Sequence, residues 1–205
     1  MIAKPNNFDK IEVRDYDYEP LEVGGHKCII KKAEEYTSEI SGKTSLKIEI
    51  DTDSTDKQPH YYQKRFDEDK RKEKKWSNSA TKYVPLGQEE NQVRMLKGFI
   101  TAVENSNNGY RYDWNREVNQ LVGKKIGASF GLEEYLDNEG AKKTNVKIRD
   151  FRSYDKVDNI KAPKIKTLSG DYMSMEDYND MNSQTSNNAY EQFGDIVEVV
   201  DNILD

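Results

Sequence analysis

The stretch Leu46-Lys47-Ile48-Glu49-Ile50-Asp51 decides the fold class, because apolar and charged side chains alternate along it without a break. Successive side chains of a strand point to opposite faces, so this pattern predicts a strand with one face buried and the other in water. The turn Ser41-Gly42-Lys43 precedes it, and before that turn residues 26–33 are rich in strand formers. We therefore expect the fold to begin with two strands joined by a turn.

Two further elements are predicted downstream of this pair. The aromatic run Tyr61-Tyr62-Gln63-Lys64-Arg65-Phe66 predicts a short third strand, and the charged residues 67–75 predict a loop. From Gln92 the apolar period becomes that of a helix, with these residues on one face: Val93, Leu96, Phe99, Ile100 and Val103. A helix is therefore expected after the third strand.

The second half of the body predicts two more strands. After a short helix over residues 113–121, Ile126, Ala128 and Phe130 alternate with polar or small residues and predict strand four. The turn Asn138-Glu139-Gly140 leads to strand five over residues 146–151. Three strands, a helix and two strands form the element order of a mainly β OB-fold, a five-stranded Greek-key barrel, although an SH3-like barrel or an irregular sandwich has a similar order.

Charge divides the chain at Thr167. Residues 167–205 carry nine acids and no Lys or Arg, whereas the preceding part holds all 32 basic residues against 29 acids, within a net charge of -6. We predict an N-terminal arm over 1–23, one domain over 24–155, and a linker with a disordered acidic tail over 156–205. The apolar and acidic end of the tail predicts a partner-binding segment that includes Asp195, Ile196, Ile203, Leu204 and Asp205. A short element that packs on the body is the alternative for this end.

Composition argues against several classes of function. A single cysteine, Cys28, and the lack of an apolar leader or membrane span predict a protein of a reducing cytoplasm that does not enter a membrane. The two histidines lack zinc-ligand spacing, and we expect His26 at the surface or at a strand edge. Gly42-Lys43-Thr44 leads into a strand rather than a helix, unlike a phosphate-binding loop. We therefore expect no enzymatic activity and no cofactor or metal, with a nuclease that uses a pair of acids as the weakest alternative.

Basic and aromatic side chains concentrate in residues 61–76. These sixteen positions hold seven basic and four aromatic side chains, with four acids among them. Cations neutralise phosphates while flat rings stack on unpaired bases, so the mixture is typical of single-stranded nucleic-acid binding. As a strand, the run would place Tyr62, Lys64 and Phe66 on one face. The other interpretation, core rings beside a solvated charged loop, fits the same residues.

A second cluster lies on strand five, where Lys147, Arg149 and Phe151 are expected to share the face opposite Val146 and Ile148. A solvated surface is again the alternative. The candidate DNA-binding residues of the chain are Lys47, Tyr62, Lys64, Arg65, Phe66, Lys70, Arg71, Lys72, Lys74, Lys75, Trp76, Lys147, Arg149, Phe151 and Arg152.

Three segments carry a resemblance to a known family: Gly24-Gly25-His26-Lys27-Cys28-Ile29-Ile30-Lys31-Lys32, Phe99-Ile100-Thr101-Ala102-Val103-Glu104-Asn105-Ser106-Asn107 and Phe130-Gly131-Leu132-Glu133-Glu134-Tyr135. Over about residues 24–154 the chain resembles the single-stranded-DNA-binding proteins of bacteriophages of low-GC Gram-positive bacteria. The resemblance implies an OB-fold that coats single strands in phage DNA replication or recombination, in the cytoplasm of the infected host.

The resemblance also implies that the acidic C-terminus recruits replication or recombination proteins. Tails of such proteins often end in acids followed by Pro-Phe, whereas this chain ends Asn202-Ile203-Leu204-Asp205. A tail that folds back over the basic groove as a DNA mimic fits the charge division equally well. An alternative from another class of function is a protein-binding adaptor or inhibitor that engages a host protein through the tail. The sequence leaves the oligomeric state open, a homo-oligomer included.

Overall fold

A computed structural model gives the fold, and it describes residues 4, 10 and 19–181. This part of the chain is mainly β, with one mixed sheet of seven strands and few helices. Most of the expected N-terminal arm lies outside the described residues, as does the tail beyond residue 181 with its five predicted partner-binding residues. Within the described ranges, no helix combines the length and the apolar character that crossing a bilayer requires.

The first two predicted strands are confirmed. Strand β1 (Gly24–Thr37) pairs antiparallel with strand β2 (Thr44–Thr52). Leu46, Ile48 and Ile50 are buried, as their alternation predicts. Burial of such side chains stabilises the fold by about 1.5–3 kcal/mol each. The alternating stretch of β2 therefore supplies one wall of the core.

Strands four and five are also confirmed, and both are longer than expected. Strand β4 (Lys125–Leu136) pairs antiparallel with β1 at one edge and with β5 (Lys142–Arg152) at the other. Phe130 of β4 is fully buried in the core. The β1–β4 pairing brings together strands about a hundred residues apart in the chain.

The predicted third strand over residues 61–66 is wrong, because these residues begin helix α1 (Tyr61–Glu68). The third strand, β3 (Thr81–Pro85), comes later and pairs antiparallel with β2. Tyr62 and Phe66 are four positions apart, so they share a face in a helix as well as in a strand. The ring spacing alone therefore did not distinguish the two structures.

The predicted helix after strand three is confirmed as α2 (Glu90–Ser106), whose residues Phe99, Ile100, Ala102 and Val103 are buried. The short helix expected over residues 113–121 is a 3-10 helix, Val118–Leu121. It buries Leu121 completely. Helix α2 lies between β3 and β4 in the chain, where the sequence pattern predicts a helix.

Pairing continues beyond residue 155, where the sequence suggested a linker. A 3-10 helix, Tyr154–Asn159, packs so closely on the sheet that a Cβ on Gly25 would lie 2.0 Å from the Val157 carbonyl oxygen. Strand β6 (Ile165–Lys166) then pairs in parallel with β4, and β7 (Tyr172–Met173) pairs antiparallel with β6. The sheet order is β3-β2-β1-β4-β6-β7, with β5 on β4.

His26 is buried inside the domain, so the expectation of a surface or edge position is wrong. Its Nδ1 lies 2.9 Å from Oδ1 of Asp56, and its Nε2 lies 2.9 Å from the carbonyl oxygen of Glu22. Both ring nitrogens thus have hydrogen-bond partners, which offset the desolvation cost of burying a polar ring. The Asp56 carboxylate also accepts from the Lys27 N–H at 2.7 Å and fixes the loop between β2 and α1 to the sheet.

Candidate nucleic-acid interface

Helix α1 is anchored by a side chain of the sheet. The N-cap residue His60 has a left-handed backbone, φ 55°, and its side chain does not cap the helix. Instead the Asp51 carboxylate, at the end of β2, accepts from the N–H groups of Tyr62 at 2.9 Å and Gln63 at 3.3 Å. Burial raises the pKa of Asp51 although these hydrogen bonds oppose the shift. The position of α1 is therefore set by β2.

A cleft of about 600 Å³ lies between α1, the segment that follows it and the middle of β5. Tyr61, Arg65 and Phe66 of the helix contribute to its wall. Across the cleft the wall includes Val146 of β5. The remaining lining residues are Pro20, Leu21, Tyr62, Glu68, Asp69, Arg71, Lys75, Trp76, Ser77, Asn78, Ser79 and Asn145.

Two rings of the cleft, Phe66 and Trp76, lie with their centroids 5.5 Å apart and their planes tilted by 44°. Trp76 donates from Nε1 to the carbonyl oxygen of Ile50 at 3.1 Å and packs against the core. Phe66 is half-buried, and Nζ of Lys74 lies 5.5 Å from its ring centroid. A cation at that distance from a ring centroid is attracted by the face of the ring.

Cations line the same cleft. The Arg65 guanidinium lies 5.3 Å from the Tyr61 ring centroid and donates to the Tyr61 hydroxyl at 2.6 Å. Arg71 donates to both carboxylate oxygens of Asp69, from Nε to Oδ1 at 3.0 Å and from Nη2 to Oδ2 at 2.7 Å. These hydrogen bonds lower the pKa of Asp69 to about 2. Asp69 thus stays ionised near neutral pH and offsets part of the positive charge at Arg71.

Several predicted residues lie in one place. Arg65, Phe66, Arg71, Lys75 and Trp76 all line the cleft. Lysines that do not line it are exposed on α1 and the following segment: Lys64, Lys70, Lys72 and Lys74. The basic-aromatic run of the sequence therefore forms a single surface, and we call the cavity in it the α1 cleft.

Tyr62 also lines the α1 cleft but belongs to the core. Its side chain is 3% exposed, and its ring stacks on Phe130 with centroids 6.2 Å apart. Its hydroxyl has no hydrogen-bond partner among the described residues. Burial raises the pKa of this hydroxyl well above its usual value.

Phe151 does not share a face with Lys147 and Arg149, so this expectation is wrong. The pairing of β4 with β5 shifts by one residue at Arg149, because Ser129 pairs with Asp150 and Phe130 with Ile148. Such a β-bulge moves the following side chains to the other face. Phe151 consequently packs against Phe99 of α2, with ring centroids 5.1 Å apart.

The other predicted residues lie outside the α1 cleft. Nζ of Lys47 is ion-paired with Glu49 at 2.7 Å and Glu34 at 3.3 Å on the outer face of β2. Arg152 donates to Asp150, with Nη2 2.9 Å from Oδ2. Arg149 is largely covered on the outer face of β5, where Tyr172 lies over its guanidinium.

Sequence reasoning missed part of the site. Leu21, Asn145 and Ser77–Ser79 complete the α1 cleft, but they are not charged or aromatic, so composition gave no signal for them. Tyr172 falls in the stretch without basic residues, for which the sequence predicts a tail. Among residues 4, 10 and 19–181 no group of three or more His, Cys, Asp or Glu side chains is arranged to hold a metal ion.

Comparison of the chain with protein-family models and with curated proteins finds no match in either set.

Proposed function

We propose that this protein binds single-stranded DNA without strong sequence preference and does not act as an enzyme. The observation that carries the proposal is the α1 cleft, in which Phe66 and Trp76 share one cavity with Arg65, Arg71 and Lys75. Rings and cations together match the two chemical features of a single strand, its open bases and its phosphates.

The ring of Phe66 and the volume of the α1 cleft favour a single strand over a duplex. In a duplex the base faces are stacked on one another, so a half-buried ring such as Phe66 has no base face to meet. A volume of about 600 Å³ is in the range of pockets that enclose small organic molecules, and a nucleotide is such a molecule. The ligand class is therefore an unpaired nucleotide within a longer strand.

The exposed lysines beside the α1 cleft supply the electrostatic part of the affinity. Lys64, Lys70, Lys72 and Lys74 flank it on one continuous segment of chain. Binding through such side chains releases counterions from the strand, so the affinity should fall as salt rises, with a slope of about -0.7 for each phosphate neutralised.

The finer fold that we propose is an OB-fold with two added strands. The pairing of β1 with both β2 and β4, and of β4 with β5, supports this assignment. Nζ of Lys82 on β3 lies 3.4 Å from the carbonyl oxygen of Ile148 on β5, so a side chain bridges the two outer strands of the five. A five-stranded Greek-key barrel follows if these two strands close the sheet.

The proposed setting is phage DNA replication or recombination in the cytoplasm of an infected bacterium, where the protein would coat and protect single strands. This setting rests on the family resemblance. The recruitment of replication or recombination proteins by the C-terminus remains a prediction for residues outside the described part.

A titration of fluorescent oligo(dT) with the full chain tests the proposed function. We expect saturable binding at low salt that weakens as salt rises, and a duplex of the same length should compete poorly. A matched full-length variant, in which the five acids beyond Met181 are replaced by their amides, controls for competition by the tail. If neither protein bound oligo(dT) at low salt, the proposal would be wrong, and a protein partner in a pull-down would then favour the adaptor alternative.

A further inference from the structure

Tyr172 of β7 presents an open ring above a cation. Its ring centroid lies 5.8 Å from Cζ of Arg149, yet the residue is 60% exposed. Because Arg149 contacts only one side of the ring, this exposure leaves much of the other side accessible to solvent. An aromatic ring with one supported side and one accessible side has the form of a stacking platform.

Arg149 is held beneath this ring by contacts with β4. Its side chain crosses Gly131, where a Cβ would lie 2.9 Å from the arginine Nε, so the lack of a side chain at Gly131 makes room for it. Nη2 donates to the carbonyl oxygen of Leu132, and Nη1 lies 3.8 Å from a Glu133 carboxylate oxygen. The Arg149 side chain is 13% exposed. It therefore serves as a support for Tyr172 more than as a contact for solvent.

The face of the sheet beside Tyr172 carries a cluster of cations around Glu133. Lys166 is its direct partner in the β6–β7 pairing, so the two side chains are neighbours on one face. Nζ of Lys166 lies 2.8 Å from Oε1 of Glu133, which is also the acid nearest to Arg149. Lys147 lies on the same face of β5 and acts on Glu133 electrostatically. Glu133 therefore has three cations near it, two of which, Arg149 and Lys166, also neighbour Tyr172.

Tyr172 is not what attaches its hairpin to the domain. Ile165 on β6 is 1% exposed and supplies the apolar anchor. The turn between the strands is fixed by the Thr167 N–H, which donates to the Asp171 carbonyl oxygen at 2.9 Å. The Leu168 N–H donates to Oε2 of Glu134 at 3.0 Å and ties the turn to β4. The hairpin is therefore docked by other groups, which leaves the Tyr172 ring for a ligand.

We infer that Tyr172 is a nucleobase-stacking residue, positioned by Arg149, that extends the path of the single strand from the α1 cleft onto the β6–β7 hairpin. The inference rests on the proposed function. The two places are joined by β5, because Asn145 lines the α1 cleft and Arg149 lies four residues further along the same face of that strand, roughly 13 Å away at about 3.3 Å per residue. A strand of a few nucleotides can span this separation.

Photocrosslinking of the unmodified full-length protein identifies the residues that contact the bases. Oligo(dT) in which one thymine is replaced by 5-iodouracil is bound, irradiated and digested, and the linked peptides are identified by mass spectrometry. We expect crosslinks at Tyr172 in addition to crosslinks in the α1 cleft. If crosslinks form in the α1 cleft but none forms at Tyr172 for any position of the probe, the inference is overturned while the proposed function stands.

Substitution gives an independent measurement. Tyr172→Leu should weaken binding of a long oligo(dT) by about fivefold or more, whereas Tyr172→Phe, which keeps the ring, should bind as the unmodified protein does. Trp114→Leu is the matched control, since Trp114 is 69% exposed and lies outside both surfaces. Its affinity should be unchanged.

The direction of the change in oligo(dT) affinity distinguishes a stacking role of Tyr172 from the alternatives. Unchanged affinity of Tyr172→Leu would overturn the inference alone, and tighter binding would show that Tyr172 covers the site rather than extending it. Failure of the unmodified protein to bind oligo(dT) would overturn the proposed function and the inference together. Thermal unfolding of each variant establishes that the compared proteins are folded.

Discussion

The rings of Phe66 and Trp76 lie 5.5 Å apart, but only Trp76 is packed against the core. The indole N–H of Trp76 is bonded to the Ile50 carbonyl oxygen on β2, whereas Phe66 contacts Trp76 and the Lys74 ammonium group. One ring of the pair therefore supports the other. The two substitutions to alanine should consequently affect different properties.

Phe66→Ala should weaken oligo(dT) binding by about 1–3 kcal/mol, the contribution of one stacked base, and leave the free energy of unfolding nearly unchanged. Trp76→Ala should instead lower the free energy of unfolding by about 3 kcal/mol, because it removes a large side chain that packs on the core. Urea denaturation and oligo(dT) titration of both variants measure the two effects. An equal loss of stability in both variants would contradict this division.

Asp69→Asn should strengthen DNA binding. It removes the carboxylate that engages the Arg71 guanidinium and one negative charge from the α1 cleft. We expect about two- to fivefold tighter binding at low salt, with the gain shrinking as salt screens the charges. Glu90→Gln, at an exposed ion pair of α2, is a matched control that removes one negative charge elsewhere. A similar gain in the control would assign the effect to net charge alone.

Phe151→Ala should destabilise the domain without altering the binding surface. The Phe151 ring packs on Phe99 and the core, so its removal should cost about 3 kcal/mol of unfolding free energy. The protein that remains folded at low temperature should bind oligo(dT) with unchanged affinity. Weaker binding by a fully folded variant would indicate that Phe151 contributes to DNA binding.

Asp51 should make stability depend on pH. Because burial raises its pKa in the folded state above the ordinary value of 3.8, the folded protein holds this proton more tightly than the unfolded chain. The contribution of Asp51 to stability is therefore greatest below the ordinary value and decreases as pH rises through the folded-state pKa. Asp51→Asn, which keeps an acceptor for the N–H groups of α1, should remove this slope.

Asp51→Ala is the companion variant, and it should lower the free energy of unfolding by about 1–3 kcal/mol because it leaves helix donors without their acceptor. Urea denaturation at several pH values between about 4 and about 7 compares the three proteins. The same pH slope in Asp51→Asn as in the unmodified protein would assign the dependence to another group.

Tyr62→Phe should raise the free energy of unfolding by about 1 kcal/mol. The Tyr62 hydroxyl is buried without a hydrogen-bond partner in the described part of the chain, and removal of such a group avoids its desolvation cost. Thermal and urea unfolding measure the gain. A loss of stability would indicate that the hydroxyl has a partner in solution.

Strict side-chain alternation was enough to predict β2, and the helical period was enough to predict α2, since both patterns depend on local burial. Helix α1 was not predictable in this way, because its cap comes from Asp51 on a neighbouring strand rather than from the preceding residues. Strands β6 and β7 have two residues each and form only by pairing along the sheet, so they leave no local period.

The sequence predicts several of the residues that make up the candidate site, but it does not predict how they are arranged. The run of residues 61–76 does form one surface, yet its rings divide between core and cleft according to contacts with Ile50 and Phe130 that are distant in sequence. The role proposed for Tyr172 depends on its proximity to Arg149, a contact that no pattern within the 167–205 segment indicates.

The extra residue of β5 at Arg149 separates the strand into two parts that can change independently. On one side of the bulge the strand supplies Val146 to the cleft wall, and on the other it supplies Phe151 to the packing under α2. Deletion of one residue at this point would exchange the inner and outer faces of one part, whereas substitutions on either part leave the register of the other intact. The bulge therefore lets one strand contribute side chains to the cleft wall before it and to the packing under α2 after it.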